Sequence, residues 1–305
     1  MWRLISSRFF DAVIALFGVT LVVFLLVHLS GDPALLMLPM EATPEDIAQF
    51  REAMGFDDPL YIQYLRFLKN ALHGDFGESL RIGQPAFSLV LERLPATLEL
   101  TFASIVIAVL IGVPAGILAA TRRYSSWDTA AMGGAVLGQA VPVFWLGIML
   151  ILLFGVTLRW FPTHGRGTLS HLVLPALALS SFSTASIARL TRSAMLETLE
   201  QDYVRTAWSK GLPGRAVIFL HALRNAMIPV VTIIGIQFGT LLGGAVITET
   251  IFAWPGVGRL VVQAVYGRDF PVVQAVVVVV AGGFVLINLL VDIIYIFLDP
   301  RIRYQ

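Results

Sequence analysis

The sequence predicts an all-α integral membrane protein with six transmembrane helices and a small helical extracytoplasmic insertion between the first and the second. Three observations carry this reading. Of 305 residues, 57% are hydrophobic and only 13% charged, whereas soluble domains carry about a quarter charged residues. The apolar residues come in blocks of about twenty rather than in amphipathic stripes, and a helix apolar on every side needs lipid or complete burial. Between the blocks, Lys and Arg alternate between rich and poor segments.

The spans are expected at Phe9 to Leu29, Leu98 to Thr121, Ala131 to Leu158, Leu172 to Leu190, Ala226 to Thr248 and Val272 to Leu298. Each exceeds or approaches the twenty or so residues that cross a hydrocarbon layer of about 30 Å. Arg3 and Arg8 precede the first block as they would in a signal peptide, but the block is too long and no small-x-small cleavage site follows, so an uncleaved span is expected. The fourth span is the least apolar, with Pro175 and the polar string Ser180, Ser181, Ser183, Thr184 and Ser186. With the N-terminus inside, the cytoplasmic segments hold twelve Lys and Arg and the two short outer loops four. Both termini are then cytoplasmic, because basic loops stay inside.

The organisation that follows is residues 1–30 as N-terminus and first span, 31–95 as an extracytoplasmic cap, and 96–305 as a five-helix core that includes a cytoplasmic loop at 191–225. The cap reads as folded. Thr43-Pro44-Glu45-Asp46 is an N-cap with Pro at N1 and acids in the first turn, and Gly55 closes that helix. Asp58-Pro59 repeats the start and His73-Gly74 the stop. Residues 31–95 hold ten acids against five basic residues, which suits either a docking face for a soluble partner or a solvated cover over the helix ends.

Several function classes are excluded. A net charge of +1 makes no bulk electrostatic case for nucleic acid. With no Cys, disulfides and thiol chemistry are absent. The sequence has no HExxH, GxSxG or GxxxxGK[ST], and its five histidines are never spaced i, i+4. No catalytic, cofactor-binding or metal site is expected. Ionisable residues inside the spans are few, among them Asp11 near the inner end of the first and Asp292 close to Asn288 in the sixth, and they do not form the chain of groups across the midplane that a proton relay needs.

Glycines recur at helical spacing. Gly235, Gly239 and Gly243 fall close to one face of the fifth span, and Gly112/Gly116 and Gly134/Gly138 repeat the interval. Close helix packing in lipid explains them; a smooth face that slides or lines a passage is the functional alternative. With Ser180, Ser183 and Thr184, the fifth-span glycines are the candidates for lining a passage.

The stretch "DYVRTAWSKGLPGRAVIFLHALRN" (202–225) is a charged loop between two apolar blocks. Glu197 to Ser209 has a helical pattern, Gly211 stops it, Pro213-Gly214 turns the chain, and Val217-Ile218-Phe219 with His221 and Arg224 forms a second short amphipathic piece. An anchor on anionic headgroups needs only a few basic residues. A glycine-broken helical pair of this length is better explained as a docking knob.

At this point the sequence resembles a family, the permease subunits of bacterial ATP-binding-cassette importers, specifically the dipeptide/oligopeptide/nickel branch. The resemblance rests on "GDP" at 31–33, "MGFDDPLYIQY" at 54–64, "GDFGES" at 74–79, "RLPATLELT" at 93–101, "LRNAMIPV" at 223–230, "ETIFAWPGVGRL" at 249–260 and "DPRIRY" at 299–304. The loop is similar to the family's cytoplasmic Glu-Ala-Ala motif. Anchored on Gly211, Arg205, Thr206 and Ala207 occupy the Glu-Ala-Ala positions, and of the broad consensus Ala207, Gly211 and Leu223 match. At Arg205 a cation replaces the family's anion. The form "YVRTAxxKG…LRNAxIP" looks like the peptide branch's own version.

The resemblance implies a type I importer permease in the bacterial inner membrane, working by alternating access. It implies a second permease, usually a different chain, two cytoplasmic ATPase subunits that carry ATP and Mg, and an extracytoplasmic solute-binding protein. Asp202, Tyr203, Val204, Arg205, Thr206, Ala207, Lys210, Gly211 and Leu212 would couple the ATPase to the spans. Trp254, Pro255, Gly256 and Gly258 would form the outer loop that meets the binding protein. Dipeptides, longer peptides, glutathione and nickel complexes are all in range. The competing class, a stand-alone secondary transporter or channel, would need an inverted repeat or a line of intramembrane charges, and spans 1–3 and 4–6 share no motifs. A membrane scaffold would not need polar residues along spans four and five.

Overall fold

In the computed structural model, residues 2–29 and 43–298 are described, with side chains except at 2–9, 47, 50, 54, 244 and 292–298. The "GDP" and "DPRIRY" motifs and the side chain of Asp292 therefore lie outside the described residues. The elements are α1 (Trp2–Leu29), α2 (Pro44–Met54), α3 (Leu60–Leu72), α4 (Ala86–Thr121), α5 (Ser126–Ala140), α6 (Val143–Leu150), α7 (Leu169–Leu199), α8 (Asp202–Ser209), α9 (Gly214–Ala216), α10 (Leu223–Ile251), α11 (Val257–Gly267) and α12 (Phe270–Leu298). Two π-helical turns, Ile151–Thr157 and Val217–Ala222, follow α6 and α9.

Among the described residues, five continuous stretches are long and apolar enough to cross a membrane: Phe10–Leu29, Ala86–Thr121, Leu169–Leu199, Gly214–Gly243 and Phe270–Val291. The sixth, expected as one run from Ala131 to Leu158, is broken instead. Ser126–Ala140 and Val143–Thr157 meet at 103°. The cause is local. Pro142 has no N–H to continue the helix and drives the residue before it out of the helical region, and Val141 sits at φ −79°, ψ 123°.

By contacts the chain divides into two compact units, residues 1–96 with 256–285, and 97–255 with 286–305. In the first, α2 starts as expected. Asp46 N donates to Thr43 Oγ1 at 3.2 Å while Thr43 N donates back to Asp46 Oδ2 at 3.0 Å. Donation from Thr43 N, and from Thr43 Oγ1 at 2.8 Å, holds the Asp46 carboxyl below the usual carboxylate range. Gly55 ends the helix in the left-handed region, φ 67°. The second start differs: Pro59 is the N-cap of α3 without a side-chain cap, and Asp58 instead pairs with Arg66 at 2.6 Å. Gly74 provides the second stop, at φ 75°. α1 and α3 are pinned by Thr20 Oγ1 on Tyr64 Oη (3.0 Å) and by His28 Nε2 on Gln63 Oε1 (3.0 Å). Phe76, Leu89, Val90, Val257, Leu260 and Val276 form the core. Buried Asp269 accepts from Ser79 Oγ and from Leu80 N, which ties the 79–82 turn to the start of α12.

In the second unit α7 is central and touches α5, α6 and α10. α4 approaches it through two of the spaced glycines. A Cβ on Gly116 would lie 2.6 Å from Ala188 O and 2.5 Å from Thr191 Cβ, and one on Gly112 would lie 2.8 Å from Thr184 O. Gly134 has open space at the same position. The Asp128 carboxylate takes Arg192 Nε (2.7 Å), Arg192 Nη2 (2.9 Å) and Tyr124 N (3.1 Å), joining the start of α5 to α7. Buried Glu249 accepts from Thr97 Oγ1 at 2.6 Å, in keeping with the rule that a buried charge is hydrogen-bonded.

Two outcomes follow. Gly116→Ala gains about 1 kcal/mol of helix propensity but overpacks against backbone, which costs about 1–3 kcal/mol; Gly134→Ala keeps the gain without the clash. Thermal unfolding in detergent should therefore show Gly116→Ala below, and Gly134→Ala at or above, the parent chain. Asp128→Ala leaves the Arg192 guanidinium half-buried without its bidentate acceptor, a loss of about 2 kcal/mol that the same melting curves would register.

Candidate functional site

The charged stretch after α7 is built as a small helix on an apolar footing. The expected helix from Glu197 to Ser209 is divided: α7 runs on to Leu199, Gln201 turns extended at φ −72°, ψ 146°, and α8 begins afresh at Asp202. The reason is that Val204 and Ala207 need a new direction to reach their partners. Both are buried against Val217 and Leu199. The opposite face of α8 and the turn after it point outward: Asp202, Arg205, Thr206, Trp208, Lys210, Gly211 and Leu212 are exposed, and Tyr203 at the edge of the footing is exposed in part. Arg205 lies 3.6 Å from Asp202 with both side chains largely in solvent, a pair that adds little stability.

Gly211 stops this element as expected. Its φ is 74°, and nothing lies within 4 Å of an added Cβ. The turn is closed by Lys210 N on Thr206 O (3.1 Å) and Gly211 N on Trp208 O (3.0 Å). The Trp208 ring folds back on Gly214, where a Cβ would come within 3.1 Å of it.

The second piece is not separate. From Gly214 the chain turns through α9 and the π-helical Val217–Ala222 directly into α10. The wider π turn suits residues five apart, and Val217 and Ala222 are both buried. Ala222 packs with Ala120, Ala194, Met195 and Ala226, near the C-terminal ends of α4 and α7 and the N-terminal end of α10. Phe219 and Leu220 point outward instead. π turns of this kind often mark functional segments.

One connection was not legible in the pattern. Asn225 Nδ2 donates to Tyr203 Oη at 2.7 Å, bridging α8 to the first turn of α10. An Asn at a helix start reads as a capping residue, and no periodicity points it at Tyr203 across 22 positions. The result is a knob whose one face is held by Val204, Ala207, Tyr203 and Asn225, and whose other face is free.

The other named residues sit elsewhere. Ser180 and Ser183 are buried in α7. Ser180 Oγ donates to Leu177 O and Thr184 Oγ1 to Ser180 O, while Ser183 Oγ has no partner among the described residues. On α10, Gly235 lies against Val291, Gly239 is buried, and Gly243 has open space where a Cβ would stand. Trp254 is buried, with the Arg166 guanidinium 5.9 Å from its ring and its N–H on Glu249 O. Pro255 is half-buried, Gly256 and Gly258 are buried. The histidines act as hydrogen-bonding residues: His171 Nδ1 accepts from Thr168 N and His73 Nδ1 lies 2.8 Å from Lys69 O.

Residues 112–304 match the family described as binding-protein-dependent transport system inner membrane component, and residues 1–101 match its N-terminal membrane component. The chain is 42% identical to the dipeptide transport system permease protein of Alkalihalophilus pseudofirmus, over 95% of this chain and 96% of that one. It is 43% identical to the oligopeptide transport system permease protein of Bacillus subtilis, over 95% of both. A putative peptide transport system permease protein of Brucella abortus is 44% identical over the full length of each. Among solved structures, an inward-facing MetNI methionine ABC transporter superposes with TM-score 0.60 at 22% identity, over 69% of this chain and 96% of that one. An amino acid ABC transporter gives 0.53 at 18%, over 70% and 94%. These likenesses show the fold, that of a type I importer permease. The chain belongs to the family of binding-protein-dependent transport system inner membrane components.

Proposed function

We propose that this chain is the membrane-spanning permease subunit of an ATP-driven importer and forms, with a second, different permease, an alternating-access passage for peptides or related small solutes. The observation that carries the reading is the exposed face of α8, presented at a fixed angle by a buried footing that continues into the transmembrane helices. The names of the dipeptide and oligopeptide relatives support the substrate class.

The mechanism follows from that footing. Tyr203, Arg205, Thr206, Lys210, Gly211 and Leu212 meet an ATPase subunit on the cytoplasmic side, while Asp202 starts the helix and Val204 and Ala207 hold it. A displacement of α8 reaches α10 through Tyr203–Asn225 and α7 through Leu199, so contact alone moves the spans and no chemistry is needed from this chain. ATP and Mg belong to the two ATPase subunits, and this chain binds no cofactor. Ser180, Ser183, Thr184 and the glycines at 235, 239 and 243 face or pack along the passage. The loop of Trp254, Pro255, Gly256 and Gly258 lies on the outer side that meets the binding protein, with buried Trp254 as its anchor. Both termini are cytoplasmic, by the charge of the loops.

Affinity purification from native membranes should recover a second permease and ATPase subunits, with ATP hydrolysis in the complex and none in the isolated chain. Recovery as an inactive homo-oligomer without ATPases would return the stand-alone carrier. In the assembled complex, Gly211→Trp should leave membrane insertion intact but uncouple ATP turnover from uptake. Gly211→Asn, which tolerates a left-handed conformation, should keep most of the coupling. Unchanged uptake with the Trp variant would remove the turn from the docking surface.

A further inference from the structure

In the first unit, the last turns of α1, the end of α11 and the start of α12 enclose a groove of about 420 Å³. Val23, Val27, Val265, Phe270 and Val273 are among its walls, and every lining side chain except Arg268 is apolar. Its backbone N–H closes the end of α11 on Ala264 O and Val265 O, while the Arg268 side chain makes no hydrogen bond or ion pair among the described residues and is exposed at the C-cap of α11. The neighbouring Asp269 carboxylate is buried and engaged by Ser79 and Leu80, and a cation outside any ion pair, at the mouth of an otherwise apolar slot, is complementary to an amphiphile with an anionic head.

The depth agrees. The apolar run of α1 ends at Leu29 and that of α12 begins at Phe270, so Arg268 stands just outside the hydrocarbon. The slot reaches inward from Val27 to Val23, about 6 Å along the helix axis at 1.5 Å per residue. Tyr266, 86% exposed, stands beside the mouth, as aromatic residues do at a membrane interface. Val265, also lining the slot, is 58% exposed.

We propose that this groove holds one acyl chain of a bilayer phospholipid whose phosphate pairs with Arg268. A protein helix laid over the slot would have to bury the guanidinium or bring its own carboxylate. A phospholipid brings the anion at the right depth and is the solvent there. The site is independent of the coupling element and of the transported solute.

The test is native mass spectrometry of the full chain, purified in mild detergent with the partners that accompany it, with bound lipid identified by fragmentation. The wild type should retain a phospholipid. Arg268→Gln should reduce its occupancy about tenfold, the weight of a charge-assisted phosphate contact. Val265→Trp, a change at an exposed position, should reduce it by filling the slot. Arg159→Gln, an exposed cation in another loop, should leave it unchanged, and all variants should melt like the wild type. Absence of phospholipid from the wild type, or equal occupancy in Arg268→Gln and Val265→Trp, would overturn the proposal. So would efficient crosslinking of Val265→Cys, the only thiol in the chain, to another protein in native membranes.

Discussion

Close backbone approach between α4 and α7 is the constraint on which the second unit depends. In lipid, apolar surfaces gain nothing by meeting each other, so helices associate through dispersion and short polar contacts that operate only at small separations. Gly112 and Gly116 allow α4 to rest on the carbonyls of Thr184 and Ala188. With α7 held there, Ile187 reaches Ala108 and Val230, and Met195 reaches Ala120, Ala222 and Ala226. Polar contacts join the neighbouring pairs, α4 to α10 and α5 to α7. Thr97 meets Glu249, and Arg192 meets Asp128, at hydrogen-bond length.

The knob after α7 draws on a different balance. Its exposed salt bridge and hydroxyl back-bonds are individually weak, and the stiffness comes from a few buried aliphatic contacts and one side-chain bridge. Val204, Ala207 and Val217 supply the first, Tyr203 and Asn225 the second. Such a footing fixes direction while leaving the outward face without structural partners among the described residues. Arg205 belongs to that outward face: its side chain is largely in solvent and touches only the equally exposed Asp202 among the ion pairs of the described residues.

The first unit shows how a soluble insertion is attached to a span. Its cap helices follow aqueous rules, with Thr43 and Asp46 exchanging hydrogen bonds and Gly55 closing the turn. Its attachment to α1 is aromatic, Phe17 and Phe24 against Tyr64, with His28 and Gln63 at the outer rim. Asp269, buried beside Ser79, makes the 79–82 turn part of the same body as α12. The interfacial groove arises where these pieces meet lipid.

The spans, the capped start of α2, the stops at Gly55, Gly74 and Gly211, and the family were legible in the sequence, because hydropathy encodes the solvent and caps are local chemistry. The break at Pro142 was also written locally, but an apolar block of nearly thirty residues masks a proline by hydropathy alone. Other features depended on partners far along the chain. α8 turns away from α7 because Val204 and Ala207 find Val217; the 217–222 segment is continuous with α10 because Val217 and Ala222 both find burial; Gly116 is indispensable and Gly134 is not because α7 stands behind one and open space behind the other. The sequence by itself determined the solvent, the element ends and the ancestry. Tertiary structure alone decided which faces meet, since two helices with the same small-residue spacing are indistinguishable until something packs against one of them.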